Sequence, residues 1–154
     1  MRNNKLFDVA GKKVLITGST GGLGSSFAKG MAENGAVIIL NGRNTEKLRI
    51  QLKQFRDEGF ETYGYAFDVT DSAQINNAVE QINSEVGTID VLVNNAGINI
   101  RAPLERYEDE DWEKVIATNL TAAFKVSRAV VKNMIEQRSG KIINIGSMQS
   151  ELGR

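Results

Sequence analysis

The sequence has 154 residues, 19 basic and 19 acidic side chains, 41% hydrophobic and 25% charged content, which describes one ordinary globular domain with a real core. A formal net charge of zero leaves no global pull toward nucleic acid or a membrane surface. The absence of cysteine and histidine excludes disulfides and a histidine general base and argues against a zinc site, and no metal is expected, so proton chemistry falls to Ser, Tyr, Lys, Asp or Glu. The N-terminal stretch lacks the apolar core of a signal peptide and no run approaches a spanning length, so a cytoplasmic protein is expected.

Residues 1–12 read as a polar lead-in whose Leu6, Phe7 and Val9 cover an edge of a sheet. Val14, Leu15 and Ile16 then make the short apolar run of a buried parallel strand. The chain breaks into glycines at 18, 21, 22 and 24 and resumes at helical spacing with Phe27 and Met31. Strand, glycine turn, helix is the setting in which such glycines signal phosphate binding. Gly18 would permit the tight exit from the strand, Gly22 close approach of the backbone to a pyrophosphate, and Gly24 tight packing of helix on strand. The helix N–H groups and positive dipole end would face the phosphates. Ser19 and Leu23 lie in the same turn and are counted with the glycines as cofactor contacts.

Asn34-Gly35 is a helix stop signal, and Ala36 to Leu40 is a second buried strand. Thr45 would cap a helix running to Glu58, with Leu48, Leu52 and Phe55 on one face and Gly59 ending it. Glu61 to Phe67 is a third strand by its aromatic content, weakened by Gly64. A helix over about 72–86 aligns Ile75, Val79 and Ile82, and Ile89 to Val93 is a fourth strand leading into Asn94-Asn95-Ala96-Gly97. Residues 98–107, with the lone proline Pro103, form a loop. Asp109 to Lys132 reads as helix with a break near Thr118-Asn119 and with Trp112, Val115 and Ile116 facing the core. Lys141 to Ile145 is a fifth strand. This alternation predicts an α/β fold, a doubly wound parallel sheet of Rossmann type in the order 3-2-1-4-5, over 1–154 as one domain.

Parallel α/β sheets bind ligands at the C-terminal ends of their strands, and every polar, glycine-rich segment here falls at such an end. An NAD site ordinarily places an acid about 20 residues after the first glycine to take the ribose 2′-hydroxyl. Residues 38–43 contain no acid and one arginine, Arg43. An acid would repel a 2′-phosphate and an arginine can hold it, so NADP is favoured over NAD; the alternative for Arg43 is a solvated loop charge. Arg101, just past the fourth strand, could meet a substrate carboxylate bidentately or be an ordinary surface arginine. Glu151 could accept bonds from polyol hydroxyls. Asn94 and Asn95 could simply satisfy loop backbone groups.

TGSTGGLG at 17–24, DVTD at 68–71, NNAG at 94–97, Asn119 in ATNL and Ser147 after the fifth strand resemble the short-chain dehydrogenases/reductases. Within that family LNGRN, NNAGI followed by RAPLE, and GKIINIGSMQSELGR are similar to gluconate 5-dehydrogenases and related sugar-acid or 3-oxoacyl reductases. The resemblance implies hydride transfer between nicotinamide and a secondary alcohol or ketone. It implies that Ser147 hydrogen-bonds the substrate oxygen, with Ser150 the weaker candidate, and that Asn119 holds a water in a proton relay. It places Asp68 and Val69 beside the adenine and lays Asn95, Ala96 and Gly97 against the cofactor. A homo-oligomer, dimer or tetramer, is implied for the full-length protein, largely through a helix at about 120–137.

The family's Tyr-x-x-x-Lys pair departs from this pattern: the tyrosines are Tyr63, Tyr65 and Tyr107, and none has lysine four residues on. By the family's spacing it would fall past Arg154, so the domain is expected to be incomplete at its C-terminus and inactive alone, with the fifth strand an unpaired apolar edge. A non-catalytic dinucleotide-binding or sensing module is the alternative.

Overall fold

A computed structural model describes residues 7–147. Five parallel strands, β1 (Lys13–Ile16), β2 (Val37–Gly42), β3 (Thr62–Ala66), β4 (Val91–Asn94) and β5 (Lys141–Asn144), form one sheet in the order β3-β2-β1-β4-β5. Helices α1 (Gly22–Glu33), α2 (Thr45–Asp57) and α3 (Ser72–Glu85) follow β1, β2 and β3. After β4 come a 3₁₀ turn (Leu104–Arg106), α4 (Asp109–Ile116), a π turn (Ala117–Thr121) and α5 (Ala122–Glu136).

The apolar runs are continuous because both sheet faces are covered. Leu15, Ile39 and Leu92 point to the face packed by Ile75, Val79 and Ile82 of α3 and by Val126 and Val130 of α5. Val14, Ile16, Ile38, Leu40, Val91 and Val93 point to the other, against Ala28 and Ala32 of α1 and Leu48 and Phe55 of α2. The register pairs Leu15 with Ile39 on one side and Leu92 on the other, so the first core runs as one row of side chains across β2, β1 and β4. All four β5 residues are exposed, and among the described residues its only sheet neighbour is β4.

Several expectations need correction. The cap of α2 is Asn44, not Thr45: Lys47 N donates to Asn44 Oδ1 at 2.9 Å, which a side chain already inside the first turn could not accept in this way. Asn41 and Gly42 extend β2 beyond Leu40 by pairing with Tyr65 and Ala66 of β3. The break near 118–119 is a π turn in which Ala122 N donates to Ala117 O. Trp112 does not face the core. It is 59% exposed and no α4 residue is buried: α4 continues through the π turn into α5 as one helical run, and the buried positions of that run begin only at Ala122. Phe7 is also largely exposed, while the partly buried Val9 packs against the second core. Leu6, Ser150 and Glu151 lie outside the described residues.

Candidate dinucleotide site

The phosphate turn is built by backbone conformation and close approach. Gly18 has φ +63°, and a Cβ there would lie 2.9 Å from Ala96 Cα. Gly22 opens α1 with φ +54° and open space where a Cβ would stand. Gly21 precedes α1 without any side-chain cap, and the first turn of α1 carries no acid. The leading N–H groups of this 12-residue helix therefore point outward with their dipole unneutralised, as an anion site requires.

Hydrogen bonds lock this turn to its neighbours. Thr17 Oγ1 accepts from Asn95 N and Ala96 N, both at 3.0 Å, and Asn95 Nδ2 donates to Thr17 O at 2.9 Å and Gly18 O at 3.2 Å. Asn95 thus ties strand ends β4 and β1 together. On the other side Asn41 is 1% exposed: its Oδ1 accepts from Gly18 N at 3.2 Å, while its Nδ2 donates to Phe67 O at 3.1 Å and Tyr65 O at 3.4 Å. Ser19 corrects an expectation. It is completely buried, its hydroxyl donating to Asn41 O at 3.2 Å and accepting from Asn41 N at 2.9 Å, so that its side chain holds the turn against β2 and does not face a ligand.

The resulting pocket, about 360 Å³, is lined by Gly18, Leu23, Arg43, Asp68, Val69, Asn95, Ala96 and Gly97 among the expected residues, and also by Thr20, Asn41, Gly42, Phe67, Ile98 and Thr118. Gly24 lies behind this wall, where its missing Cβ admits Asn95. Asn119 approaches from the π turn: Ile98 N donates to its Oδ1 at 2.8 Å and its Nδ2 donates to Ile98 O at 2.9 Å. Its amide therefore clamps the loop after β4. Arg101 is exposed in that loop and outside the pocket wall, and Ser147 lies just past β5, also outside it. Thr17, Thr20, Asn41 and Gly42 were missed as site residues. Thr17 and Thr20 lie within TGSTGGLG, and the polar Asn41 in an apolar strand is the signal that points to it.

Arg43 Nη1 stands 3.7 Å from Asp68 Oδ2. Burial pushes the Asp68 carboxyl up, but hydrogen bonds from Thr70 N at 2.8 Å and Thr70 Oγ1 at 2.7 Å, aided by Arg43, outweigh it and hold the group below its ordinary value of 3.8. A carboxylate with a depressed folded pKa stabilises above the unfolded value and loses that contribution as pH falls through the folded one. Asp68→Asn is therefore expected to lower the unfolding temperature at neutral pH, and the gap from wild type should close below about pH 4; parallel melts across pH 2–7 check it. The Tyr65 hydroxyl is raised well above its ordinary range, first by burial and then by its bond to Glu85 at 2.7 Å, and Tyr65 lies outside the pocket wall.

Behind the pocket, Asn94 is 7% exposed. Its Nδ2 donates to Asn144 Oδ1 at 2.8 Å and Ser127 Oγ at 3.0 Å, whereas its Oδ1 has no protein partner. It borders a cavity of about 40 Å³ also walled by Thr17, Thr118 and Asn119, which is enough for a water. A high-resolution crystal structure is expected to show one at roughly 2.6–3.0 Å from Oδ1.

The chain belongs to the short-chain dehydrogenase family, whose model matches residues 12–154. It is 47% identical over 151 residues to the 5-keto-D-gluconate 5-reductase of Escherichia coli strain K12, covering 98% of this chain and 59% of that protein. It is 44% identical over its whole length to the gluconate 5-dehydrogenase of Gluconobacter oxydans, covering 60% of that protein. Among solved structures, a gluconate 5-dehydrogenase from Burkholderia cenocepacia in complex with NADP and tartrate superposes with a TM-score of 0.92 at 48% identity, over 96% of this chain and 58% of that one. An NAD⁺-bound xylitol dehydrogenase gives 0.90 at 36% identity, over 95% and 56%. The chain thus spans less than two thirds of the length of these relatives. Among the described residues no helix is long and apolar enough to cross a membrane.

Proposed function

We propose that this chain is the cofactor-binding part of an NADP-dependent oxidoreductase that interconverts a secondary alcohol and a ketone on a sugar acid of the gluconate and 5-keto-gluconate kind. One observation carries the cofactor choice: the pocket beside the uncapped start of α1 has Arg43 at its β2 edge and no acid in residues 38–43. The close-packed glycines fit a dinucleotide, since Gly18 lets the turn close against Ala96 and Gly22 opens α1 with free space where a side chain would stand. Gly18, Gly22 and the α1 amides would hold the pyrophosphate, with Leu23 beside them and Gly24 allowing the helix to sit close. Arg43 would take the 2′-phosphate, Asp68 and Val69 would flank the adenine, and Asn95, Ala96 and Gly97 would support the rest of the molecule.

A nicotinamide held at this site would supply or accept the hydride. For the chain's own residues, Ser147 would donate a hydrogen bond to the substrate oxygen, and Asn119, braced on Ile98, would fix a relay water with its remaining acceptor capacity. Arg101 and Glu151 would receive the substrate's carboxylate and hydroxyls. The relatives named for gluconate chemistry support the sugar acid over a 3-oxoacyl thioester. Exposed Leu120, Phe124 and Ile135 on and beside α5 support a homo-oligomer, which sedimentation analysis would test.

No tyrosine in the 154 residues has lysine at the fourth position on, so this polypeptide alone should bind NADPH without turnover. Fluorescence titration with NADPH, an NADPH-oxidation assay with 5-keto-gluconate and an intact mass test the reading together. Binding without turnover at 16.9 kDa supports it, as does turnover by a heavier protein. Absence of NADPH binding refutes it, while turnover at 16.9 kDa refutes the need for a tyrosine–lysine pair. Arg43→Ala is expected to weaken NADPH by roughly ten- to a hundredfold, the worth of a charged hydrogen bond, and to leave NADH nearly unchanged. An equal loss for both cofactors would remove Arg43 from the 2′-phosphate.

A further inference from the structure

Gly42 is side-chain-free because of a neighbour and not because of its own backbone. It is absent from the positive-φ glycines, so an L side chain could adopt its conformation. Thr20 is what stands in the way. A Cβ on Gly42 would lie 2.5 Å from Thr20 Cγ2, 2.8 Å from its Oγ1 and 3.2 Å from its Cβ. Threonine is branched at Cβ, so with γ atoms in two of the three staggered positions, any turn of χ1 leaves at least one of them against Gly42. Both residues line the dinucleotide pocket, Thr20 from the phosphate turn and Gly42 from the last position of β2, directly before Arg43. The end of β2 is where an acid would reach a ribose 2′-hydroxyl.

We propose that Thr20 is a specificity-determining residue: by filling the space that a side chain at position 42 would need, it keeps an acid out of this corner and leaves Arg43 to select a 2′-phosphorylated dinucleotide. The inference rests on the NADP reading above and assigns that selectivity to a steric pair as well as to a charge. An acid at position 42 would have to displace Thr20, and Thr20 cannot move alone, since the preceding Ser19 is fastened to Asn41. Selectivity at this corner is therefore set jointly by two residues 22 positions apart.

The test is a double-mutant cycle read by NADPH and NADH titration, with a melt of each protein. Gly42→Asp alone is expected to lose NADPH affinity at least tenfold without gaining NADH. Thr20→Ala/Gly42→Asp removes both γ atoms, admits the acid, and should lower the NADPH-to-NADH affinity ratio at least a hundredfold below wild type. Should Gly42→Asp not fold, Gly42→Ala probes the contact without charge: it should lower the unfolding temperature by several degrees with Thr20 present and much less in the Thr20→Ala background. Gly42→Asp binding NADH as tightly as the double variant, or Gly42→Ala acting equally in both backgrounds, would overturn the assignment to Thr20. A wild type with no preference for NADPH would overturn the NADP reading and this inference with it. Failure of the variants alone, with that preference intact, strikes only the steric pair.

Discussion

Replacing Asn41 with leucine is expected to lower the unfolding temperature by on the order of 10–20 °C and to remove NADPH binding. Leucine fits the volume but cannot accept from Gly18 N or donate to Tyr65 O and Phe67 O, and the site is 1% exposed. Each polar group that loses its partner away from water costs about 1–3 kcal/mol, so the three together approach the 5–15 kcal/mol that holds a domain folded. The cofactor effect follows from place: Gly18 begins the phosphate turn, and Asn41 is its side-chain link to β2 and to the strand end before Asp68. Asn41→Asp adds a pH signature. The carboxylate would face two carbonyl oxygens, raising its folded pKa, so the variant's deficit should be least below about pH 4 and grow as pH rises toward the folded value. Circular-dichroism melts of both variants across pH, with NADPH titration of the folded protein, measure this. A leucine variant that melts within 2 °C of wild type would show that Asn41 is merely accommodated.

Gly24→Ala is expected to cut NADPH affinity by at least a hundredfold, whereas Gly22→Ala should change the free protein little and the bound state greatly. A Cβ on Gly24 would sit 2.5 Å from both Gly18 O and Asn95 Nδ2 and 2.9 Å from Ser19 Cα. Those atoms are the framework of the turn itself, so relief requires about 1 Å of backbone movement against ordinary contact distances. The clash lies where Asn95 donates to Thr17 O and Gly18 O, so α1, the turn and the end of β4 would separate together. Gly22 has nothing within 4 Å of its missing Cβ, and its φ of +54° exacts roughly 1–2 kcal/mol for a non-glycine residue. That alone shifts the melting temperature by a few degrees. A large loss of NADPH binding by Gly22→Ala, against a small loss of stability, would mark Gly22 as a point of cofactor approach. Equal, proportionate losses of stability and binding in the two variants would remove that distinction.

The ion pair between Arg43 and Asp68 connects these effects to specificity. Both groups border the pocket, and the arginine is largely exposed. A 2′-phosphate would compete with Asp68 for the guanidinium, and salt would weaken either exposed interaction. Thr20 and Gly42 shape the same corner without charge. On the proposed reading, charge would recruit the phosphate while sterics would disfavour the arrangement suited to an unphosphorylated ribose.

What the sequence alone determined is whatever repeats locally. Val14–Ile16, the glycines and the spacing of Ile75, Val79 and Ile82 identify strand, turn and helix without reference to the rest of the chain, because burial on a face imposes a period on neighbouring residues. The strand order and the gathering of the polar turns at one sheet edge then follow from the alternation of strands and helices. The tertiary structure decided what depends on register between distant segments. Asn41 acquires its role only when β2 lies between β1 and β3, and Ser19 turns inward because Asn41 is its neighbour across that register. Gly42 shows no left-handed conformation and acquires its meaning only from Thr20. Trp112 has helical spacing suited to a core, yet no residue of α4 is buried, so periodicity names a face without naming what covers it. Asn119 looked like a helix break because a π turn leaves no periodic trace in composition; only its two bonds to Ile98, 21 residues earlier, show what the widened turn holds in place.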